Sequence, residues 1–481
     1  MKILFSTGEV HPFSKTGGLA DVSASLPKAI TKLGHQIKVI TPMYRTCKKW
    51  FDQMEYLGEV NIEMGKFHQN AKYFTLNHEG TDHIFVQNDY YFDRETFYGH
   101  HDDAERYVFF NKAVLEFVRT SKFKPDIIHI NDWQSGLIPF FIDEKYRHLK
   151  EFKNIKTLLS IHNLEYQGAF DQGVDKFFNT HFNYTYIHFD RINFLKAAIM
   201  RANAINTVSP NYRDEILTRF FGFTLDGALK ARENSLYGIL NGIDYEINNP
   251  QTDHRLAKNY NQNHFIMGKR VNKKMVLEKL GLVQSEKDAP LVSFIGRLAR
   301  QKGIDLMKAT LEEVIINTNA NFILIGSGDH EYENFFRFLE NKYRGKVCGY
   351  VGFNNDLAHQ VYAASDILMM PSLFEPCGLG QMIAMRYGAL PVVRETGGLK
   401  DTVMPYNKYT NEGVGFSFAN YNAHEFKDAV ERAIDLYNTN QTAWREMVKR
   451  AMREDHSLKR MAQDYVDLYQ KIIKGEHWWK L

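Results

Sequence analysis

The chain has 481 residues, 44% of them hydrophobic, and its 60 Lys and Arg residues nearly balance 57 Asp and Glu residues. Its length predicts two large folded domains, and the net charge of +3 argues against nucleic acid or a membrane surface as a partner. The three cysteines, Cys47, Cys348 and Cys377, show neither metal-ligand spacing nor a disulfide framework, which is typical of a protein from the reducing cytoplasm.

The amino-terminal stretch predicts a strand, a glycine turn, a helix and a second strand, which together form a parallel β-α-β unit. Residues 3–6 and 37–40 are the apolar runs; no signal peptide precedes the first, and no later run reaches the ~20 residues that span a bilayer. Gly17 and Gly18 lie where the helix begins, so unpaired N–H groups favour a phosphate there, and Lys15 adds a cation. Taken alone, the glycine pair equally fits a simple tight turn.

The remaining apolar runs of the first half each end in polar residues, at the edge where an open parallel sheet binds ligands. Asp132 and Trp133 follow one run, either as a carboxylate beside a sugar-stacking aromatic ring or as an ordinary strand end. His162 follows another run and is either a site residue or a structural histidine. Residues 92–106 have little periodicity and are expected to form a long loop at the site or a surface insert.

A second series of strands begins after a polar, lysine-rich stretch at residues 248–288, and we place the domain connection near Asp244. The predicted strands of this series lie within residues 290–297, 321–328, 367–371 and 390–393. The last one leads into Thr-Gly-Gly-Leu at residues 396–399, which repeats the first glycine turn. Two similar turns suggest two Rossmann-like halves that face one ligand.

Two loops of this second half carry candidate chemistry. Arg297 and Lys302 follow a strand and are spaced to face a diphosphate, although they also fit a solvated basic loop. Glu375 follows another strand, where it would bond sugar hydroxyls or stabilise positive charge, or simply favour a helix N-terminus. Cys377 has no evident partner histidine and is interpreted as a small buried thiol. Backbone N–H groups for a phosphate are offered by Cys377, Gly378, Leu379 and Gly380.

Taken together, the motifs resemble those of the bacterial glycogen synthase family, to which plant starch synthases also belong. The matching stretches occur in the family's order and span almost the whole chain: KTGGLADV (15–22), NDWQ (131–134), IHN (161–163), NGID (241–244), GRL (296–298), QKG (301–303), FEPCGL (374–379) and TGGL (396–399). The resemblance implies an α/β protein with the GT-B fold, in which two Rossmann-like domains face each other across a cleft. We expect an acceptor-side domain over residues 1–244, a donor-nucleotide domain over 245–460, and a final helix within 461–481 that crosses back to the first domain.

The resemblance also implies a retaining glucosyltransferase that moves glucose from ADP-glucose to the non-reducing end of an α-1,4-glucan and so elongates glycogen. No metal or other cofactor is implied. By position, Arg297 and Lys302 resemble the pair that neutralises the departing diphosphate, and Lys15 resembles the lysine that reaches the donor from the first domain. Glu375 resembles the carboxylate that holds the glucose hydroxyls, and His162 resembles the residue beside the 6-hydroxyl and the scissile bond.

Further contacts follow from the same resemblance. Asp132 would orient the acceptor or donor sugar, and Asp21 and Asn241 resemble donor contacts. Two positions depart from the family: Gly380 replaces a threonine of many relatives, and Phe353 stands where relatives often place a tyrosine that stacks on adenine.

Three other interpretations remain open from the sequence. A glucan phosphorylase or another GT-B transferase would share the fold, but a phosphorylase needs a pyridoxal-phosphate lysine. A glucan-binding or regulatory protein would share the fold without turnover. A nucleotide-dependent dehydrogenase is suggested only by a partial glycine motif at residues 326–329.

Overall fold

A computed structural model describes residues 1–181, 183–283 and 288–475, and the chain separates into two compact units. Unit 1 comprises Met1–Leu240 and the C-terminal segment from Leu458 onward, and unit 2 comprises Asn241–Ser457. The boundaries placed from the sequence, after residues 244 and 460, come a few residues later. None of the helices in the described ranges is both long and apolar enough to cross a membrane.

Unit 1 alternates strands and helices. Its strands are β1 Lys2–Ser6, β2 Gln36–Pro42, β3 Glu55–Met64, β4 Phe67–His78, β5 Thr81–Gln87, β6 Ile127–Asn131, β7 Lys156–Ile161, β8 Ala169–Phe170, β9 Ile187–His188, β10 Arg191–Asn193, β11 Ala204–Thr207 and β12 Leu236–Gly238. Its helices are α1 Gly18–Lys32, α2 Asp89–Phe92, α3 Asp103–Thr120, α4 Ile138–Phe141, α5 Phe194–Arg201, α6 Pro210–Glu215 and α7 Asp226–Lys230. The main sheet has the order β12-β11-β7-β6-β1-β2-β5-β4-β3 and is parallel from β12 to β5.

The central strand β1 explains why the apolar runs predicted the parallel sheet. Its residues Ile3, Leu4 and Phe5 are completely buried, because neighbouring strands flank it and both faces of the sheet are covered. The strand order reverses between β1 and β6. The loops at the carboxyl ends of these two strands therefore border the crevice where open α/β sheets bind ligands.

Two parts of unit 1 differ from the sequence prediction. β3 and β4 form an antiparallel hairpin at the sheet edge that the apolar pattern does not indicate, since many of their side chains face solvent. Residues 103–106, expected to be part of a long loop, form the first turn of α3, where Asp103 and Glu105 favour the helix N-terminus. Only residues 93–102 connect α2 to α3.

Unit 2 has a six-stranded parallel sheet. Its strands are β13 Leu291–Ile295, β14 Asn321–Gly326, β15 Val347–Val351, β16 Ile367–Met370, β17 Leu390–Arg394 and β18 Phe416–Phe418. Its helices are α8 Phe265–Lys279, α9 Ile304–Asn317, α10 His330–Lys342, α11 Asn355–Ala364, α12 Gly380–Arg386, α13 Gly397–Thr402, α14 Ala423–Thr439 and α15 Gln441–Ala451. The order β15-β14-β13-β16-β17-β18 is that of a Rossmann fold, with the reversal between β13 and β16.

Two helices show how polar side chains enter the cores. Helix α8 lies in the lysine-rich stretch without strand patterns, and it buries Lys269, whose ammonium donates to the carbonyls of Ala363, Ser365 and Tyr387 at 3.1, 2.7 and 3.1 Å. The last helix, α16 Leu458–Lys474, packs against α1 in unit 1. Its Tyr469 hydroxyl lies 2.7 Å from Nδ1 of the buried His129. The range predicted for the crossing helix, residues 461–481, includes residues 476–481, which lie outside the described residues.

Candidate functional site

The carboxyl ends of β6 and β7 hold a carboxyl group and an imidazole side by side. Asp132 is 8% exposed, and its Oδ1 accepts the backbone N–H of His162 at 2.7 Å. Burial raises the pKa of Asp132 to about 7. Its backbone has φ 53° and ψ −167°, a strained conformation for a residue other than glycine. Strain and a shifted pKa in the same residue favour a functional role over an ordinary strand end.

His162 is held in one neutral form. Burial lowers its pKa to about 4, so the imidazole is uncharged at neutral pH. Asn131 donates from Nδ2 to the Ser6 carbonyl at 3.0 Å, which leaves its Oδ1 to accept from His162 Nε2 at 2.9 Å. The His162 Nδ1 atom therefore carries a lone pair, and no donor for it is found in the part of the chain that the structure describes. This atom can accept a hydrogen bond from a hydroxyl, but it cannot supply a proton.

Trp133 lies in the packing of unit 1. The residue is 8% exposed, and its ring centroid is 4.8 Å from that of Tyr107 and 5.7 Å from that of Phe170. A Cβ at Gly168 would lie only 2.4 Å from the Trp133 ring. These contacts favour the strand-end interpretation of Trp133 over a sugar-stacking role.

The first glycine turn lies on the surface after β1. Gly17 caps α1 and Gly18 begins it, and neither backbone N–H bonds to another described residue. Lys15 Nζ lies 2.6 Å from Asp21 Oδ1, and both side chains are exposed. The two expected donor contacts therefore form an ion pair with each other, which tethers the cation beside the open N–H groups.

In unit 2, the loops after β13 and β16 bring a cation to a carboxylate. Lys302 forms an ion pair with Glu375, which is 6% exposed and also accepts the Ser372 hydroxyl at 3.2 Å. Arg297 is exposed, and its guanidinium donates to Gln301 Oε1 at 3.0 Å. The reversal of strand order thus joins the two predicted motifs in one charged group.

Backbone contacts lock these two loops together. The Leu373 N–H donates to the Gln301 carbonyl at 2.8 Å. Gly303 has φ 75°, and a Cβ there would lie 2.0 Å from the Pro371 carbonyl oxygen. Glycine at position 303 is therefore required by the close approach of the two loops.

The segment after Glu375 turns through Gly378, at φ 71°, towards α12. Burial raises the pKa of Cys377 to about 12, so its thiol is not a nucleophile. Asn241 donates its backbone N–H to this thiol, and its buried side-chain Oδ1 has no partner among the described residues. Leu379 caps α12, which has only 7 residues. The segment thus offers an unused amide acceptor as well as backbone groups.

Of the two positions that depart from the family, the first has space for a β-carbon and the second is exposed. A Cβ at Gly380 would lie 3.4 Å from both Met370 Sδ and the Tyr362 hydroxyl oxygen, which is ordinary van der Waals contact. Phe353 is 81% exposed and remains available for stacking. Neither the glycine nor the phenylalanine is imposed by packing.

The second Thr-Gly-Gly-Leu turn differs physically from the first. A Cβ at Gly397 would lie 2.0 Å from the Glu375 carbonyl oxygen, and one at Gly398 would lie 2.2 Å from the Cys377 carbonyl oxygen. No atom lies within 4 Å of a Cβ built at Gly17 or Gly18. The second glycine pair therefore packs directly against the backbone of the Glu375 loop, whereas no described residue packs against the first pair.

This contrast predicts that a glycine-to-alanine substitution affects stability differently in the two turns. Gly398→Ala is expected to lower the free energy of unfolding by about 1–3 kcal/mol, because the added methyl group meets a backbone carbonyl. Gly18→Ala, its matched control, is expected to leave stability unchanged or to raise it by up to about 1 kcal/mol. Urea unfolding of both variants measures the difference, and equal destabilisation would contradict the contrast.

Several residues of these groups were missed by sequence reasoning. Glu9 and Tyr98 contact each other across 89 residues, and neither stands in a glycine motif. Asn131 and Ser372 adjoin predicted site residues, so position next to a strand end was the available signal. Gln301 lies between Arg297 and Lys302 but has no charge to draw attention.

Two family models match most of the chain. The starch synthase catalytic domain matches residues 2–231, and glycosyl transferases group 1 matches residues 282–451. The glycogen synthase of Acholeplasma laidlawii is 55% identical over 475 residues, covering 98% of this chain and 99% of the relative. The glycogen synthase of Geobacillus thermodenitrificans is 42% identical over 482 residues, covering 99% of both chains.

Solved structures show the same similarity. The catalytic domain of starch synthase IV from Arabidopsis thaliana, bound to ADP and acarbose, has a TM-score of 0.88 and 32% identity, and the match covers 98% of this chain and 99% of that one. A sucrose-phosphate synthase from Thermosynechococcus elongatus has a TM-score of 0.61 at 16% identity over 98% of this chain and 99% of that one, a likeness in fold alone. These neighbours and the two Rossmann-type units confirm the predicted GT-B fold class.

Proposed function

The chain belongs to the glycogen synthase family, and we propose that it transfers glucose from ADP-glucose to the non-reducing end of an α-1,4-glucan with retention at the anomeric carbon. It is a glycosyltransferase. The Lys302–Glu375 contact is the observation that carries the proposal. This contact places a cation that can bind a diphosphate beside a carboxylate that can bind sugar hydroxyls. A nucleotide sugar contains both of these groups.

Unit 2 holds the donor in this proposal. Breaking the anomeric C–O bond leaves the electron pair on the ADP oxygen, so negative charge builds on the diphosphate. Arg297 and Lys302 stabilise that charge, and no metal is assigned to the step. Glu375 orients the glucose through its hydroxyls. The adenine stacks on Phe353. Asn241 Oδ1 accepts a hydrogen bond from ADP-glucose, which supplies the partner that this buried atom lacks among the described residues.

Unit 1 contributes the residues that handle the sugar. His162 Nδ1 accepts from a glucose hydroxyl, because its other nitrogen is committed to Asn131. Asp132 orients a sugar from its strained position. Lys15 places positive charge beside the donor during turnover, and the Gly17 and Gly18 N–H groups donate hydrogen bonds to phosphate oxygens. We propose that both groups of residues serve the one reaction.

The proposed setting is the reducing cytoplasm, with α-1,4-glucan as the acceptor. The three cysteines are free thiols, as expected for such a compartment. All three thiols are buried.

The proposed function is tested by incubating the full chain with ADP-glucose and a glycogen primer. We expect ADP release and glucan elongation in equal amounts, with lower rates from UDP-glucose. A phosphorylase would instead require inorganic phosphate and show the visible absorbance of pyridoxal phosphate. Failure to elongate the primer with either nucleotide sugar would contradict the proposal and favour a glucan-binding protein without turnover.

A further inference from the structure

Glu9, in the loop between β1 and α1, is a buried carboxylate whose partners are all neutral in the described residues. It is 3% exposed. Its Oε2 accepts the Thr16 backbone N–H at 2.5 Å, and its Oε1 accepts the Thr16 hydroxyl at 2.5 Å and the Tyr98 hydroxyl at 2.8 Å. Because burying a carboxylate without a cation is costly, these three hydrogen bonds hold the charge in place.

The contact with Thr16 fixes the first glycine turn from its inner side. Thr16 lies between Lys15 and Gly17, and it engages both carboxylate oxygens of Glu9 through its backbone and its side chain. On the outer side of the turn, a Cβ at Gly17 or Gly18 would meet no atom of the described residues within 4 Å. Glu9 therefore helps to fix the open N–H groups and the backbone of Lys15, whose ammonium is also paired with Asp21.

The contact with Tyr98 joins a second segment to the same carboxylate. Residues 93–102 are held at their ends by the ion pairs of Arg45 with Asp93 at 2.8 Å and of Arg94 with Asp102 at 2.5 Å. From the middle of this segment, the Tyr98 hydroxyl donates to the Oε1 atom that also accepts from Thr16. A displacement of either segment would therefore disturb the hydrogen bonds of Glu9 to the other segment.

We propose that Glu9 is a positioning residue for glucosyl transfer, which ties the Lys15–Gly18 turn and the Tyr98 segment to one carboxylate. Glu9 acts through Thr16 and does not touch the substrate. This inference rests on the proposed function for its effect on turnover, whereas the restraint on the turn itself is independent of that function.

The restraint is measured by hydrogen exchange on the full chain. In Glu9→Ala, the Thr16 amide is expected to exchange about 10-fold faster or more, because its N–H loses Glu9 Oε2 as acceptor. The kcat with ADP-glucose and glycogen is expected to fall by about 10²-fold, the cost of misplacing a reacting group by an ångström. The affinity for ADP is expected to stay unchanged, since the cations of unit 2 hold the diphosphate.

Glu9→Gln separates positioning from a need for negative charge. The glutamine oxygen can accept the Thr16 N–H, and its NH2 group can donate to the hydroxyls of Thr16 and Tyr98. We therefore expect Glu9→Gln to keep most of the wild-type turnover and slow exchange. A loss as large as that of Glu9→Ala would overturn the proposal, because the charge itself would then be required.

A tyrosine pair gives the matched control and does not depend on removing the carboxylate. Tyr98→Phe is expected to speed exchange of the Thr16 amide, because Glu9 loses one of its hydrogen bonds, and to lower kcat. Tyr91→Phe removes a similar hydrogen bond, from Tyr91 to Glu105 at 2.5 Å, and is expected to change neither. Unchanged exchange at the turn in both Glu9→Ala and Tyr98→Phe would overturn the proposal, as would lost turnover without faster exchange. A wild-type chain that elongates no glucan would refute the proposed function. The exchange data would still decide whether Glu9 restrains the turn.

Discussion

Replacing Arg297 by alanine is expected to lower kcat with ADP-glucose and glycogen by about 10²- to 10³-fold, the usual cost of removing one preorganised donor from developing negative charge. The fold should be unaffected, because the Arg297 side chain is exposed and its hydrogen bond goes to Gln301 in the next turn of the same loop. Steady-state rates of ADP release measure the effect. Arg297→Lys should be intermediate, since it keeps the charge but loses two-point contact with a phosphate.

Arg337 provides the matched control for this experiment. It is an exposed arginine of the same unit, and it donates to Asn334 at 3.3 Å and to Glu333 at 3.5 Å. Arg337→Ala is expected to leave the rate of ADP release unchanged. Near-normal turnover in Arg297→Ala, or an equal loss in both variants, would contradict the assignment of Arg297 to the diphosphate.

The partly buried ion pair between Lys302 and Glu375 predicts two variants that both lose turnover but differ in ADP affinity. Lys302→Ala and Glu375→Gln should each lower kcat by about 10²-fold or more, because one removes a charge that stabilises the leaving group and the other removes an orienting carboxylate. Lys302→Ala should also weaken ADP binding, since it leaves the carboxylate of Glu375 unpaired beside the diphosphate. Glu375→Gln should bind ADP at least as tightly as the wild type, because Lys302 is then released from its partner.

Calorimetric titration with ADP distinguishes these outcomes. The exposed pair of Lys308 and Glu331, 2.6 Å apart in the same unit, gives the controls Lys308→Ala and Glu331→Gln, which should match the wild type. Weaker ADP binding in Glu375→Gln would show that Glu375 contacts the nucleotide and not the sugar.

The parallel sheets could be predicted from the sequence because buried strands such as β1 and β13 are continuous apolar runs. Helix α8 could not, because Lys269 and Lys273 read as solvent-facing residues although both are buried. Lys273 lies 2.6 Å from Asp366, a residue 93 positions further along the chain that immediately precedes β16. The β3–β4 hairpin was missed because an edge hairpin with many exposed side chains has no distinctive apolar pattern.

The candidate site was predictable as a set of motifs but not as a set of contacts. Lys302 and Glu375 were both singled out from the loops that carry them, yet their pairing follows from the strand order and not from either motif. The two Thr-Gly-Gly-Leu turns look alike in sequence, and only the surrounding atoms show that Gly398 is packed and Gly18 is open. The state of His162 likewise depends on the amide orientation of Asn131, which no spacing rule predicts.

The central claim is that this chain adds glucose through α-1,4 bonds at the non-reducing ends of a glucan. The most direct measurement uses ADP-glucose with a labelled glucosyl group, followed by digestion of the washed glucan product with β-amylase, which releases maltose from such ends. If the claim holds, the label enters the glucan and β-amylase then releases it as maltose. Label that stays in the glucan after digestion, or that never enters it, would contradict the claim.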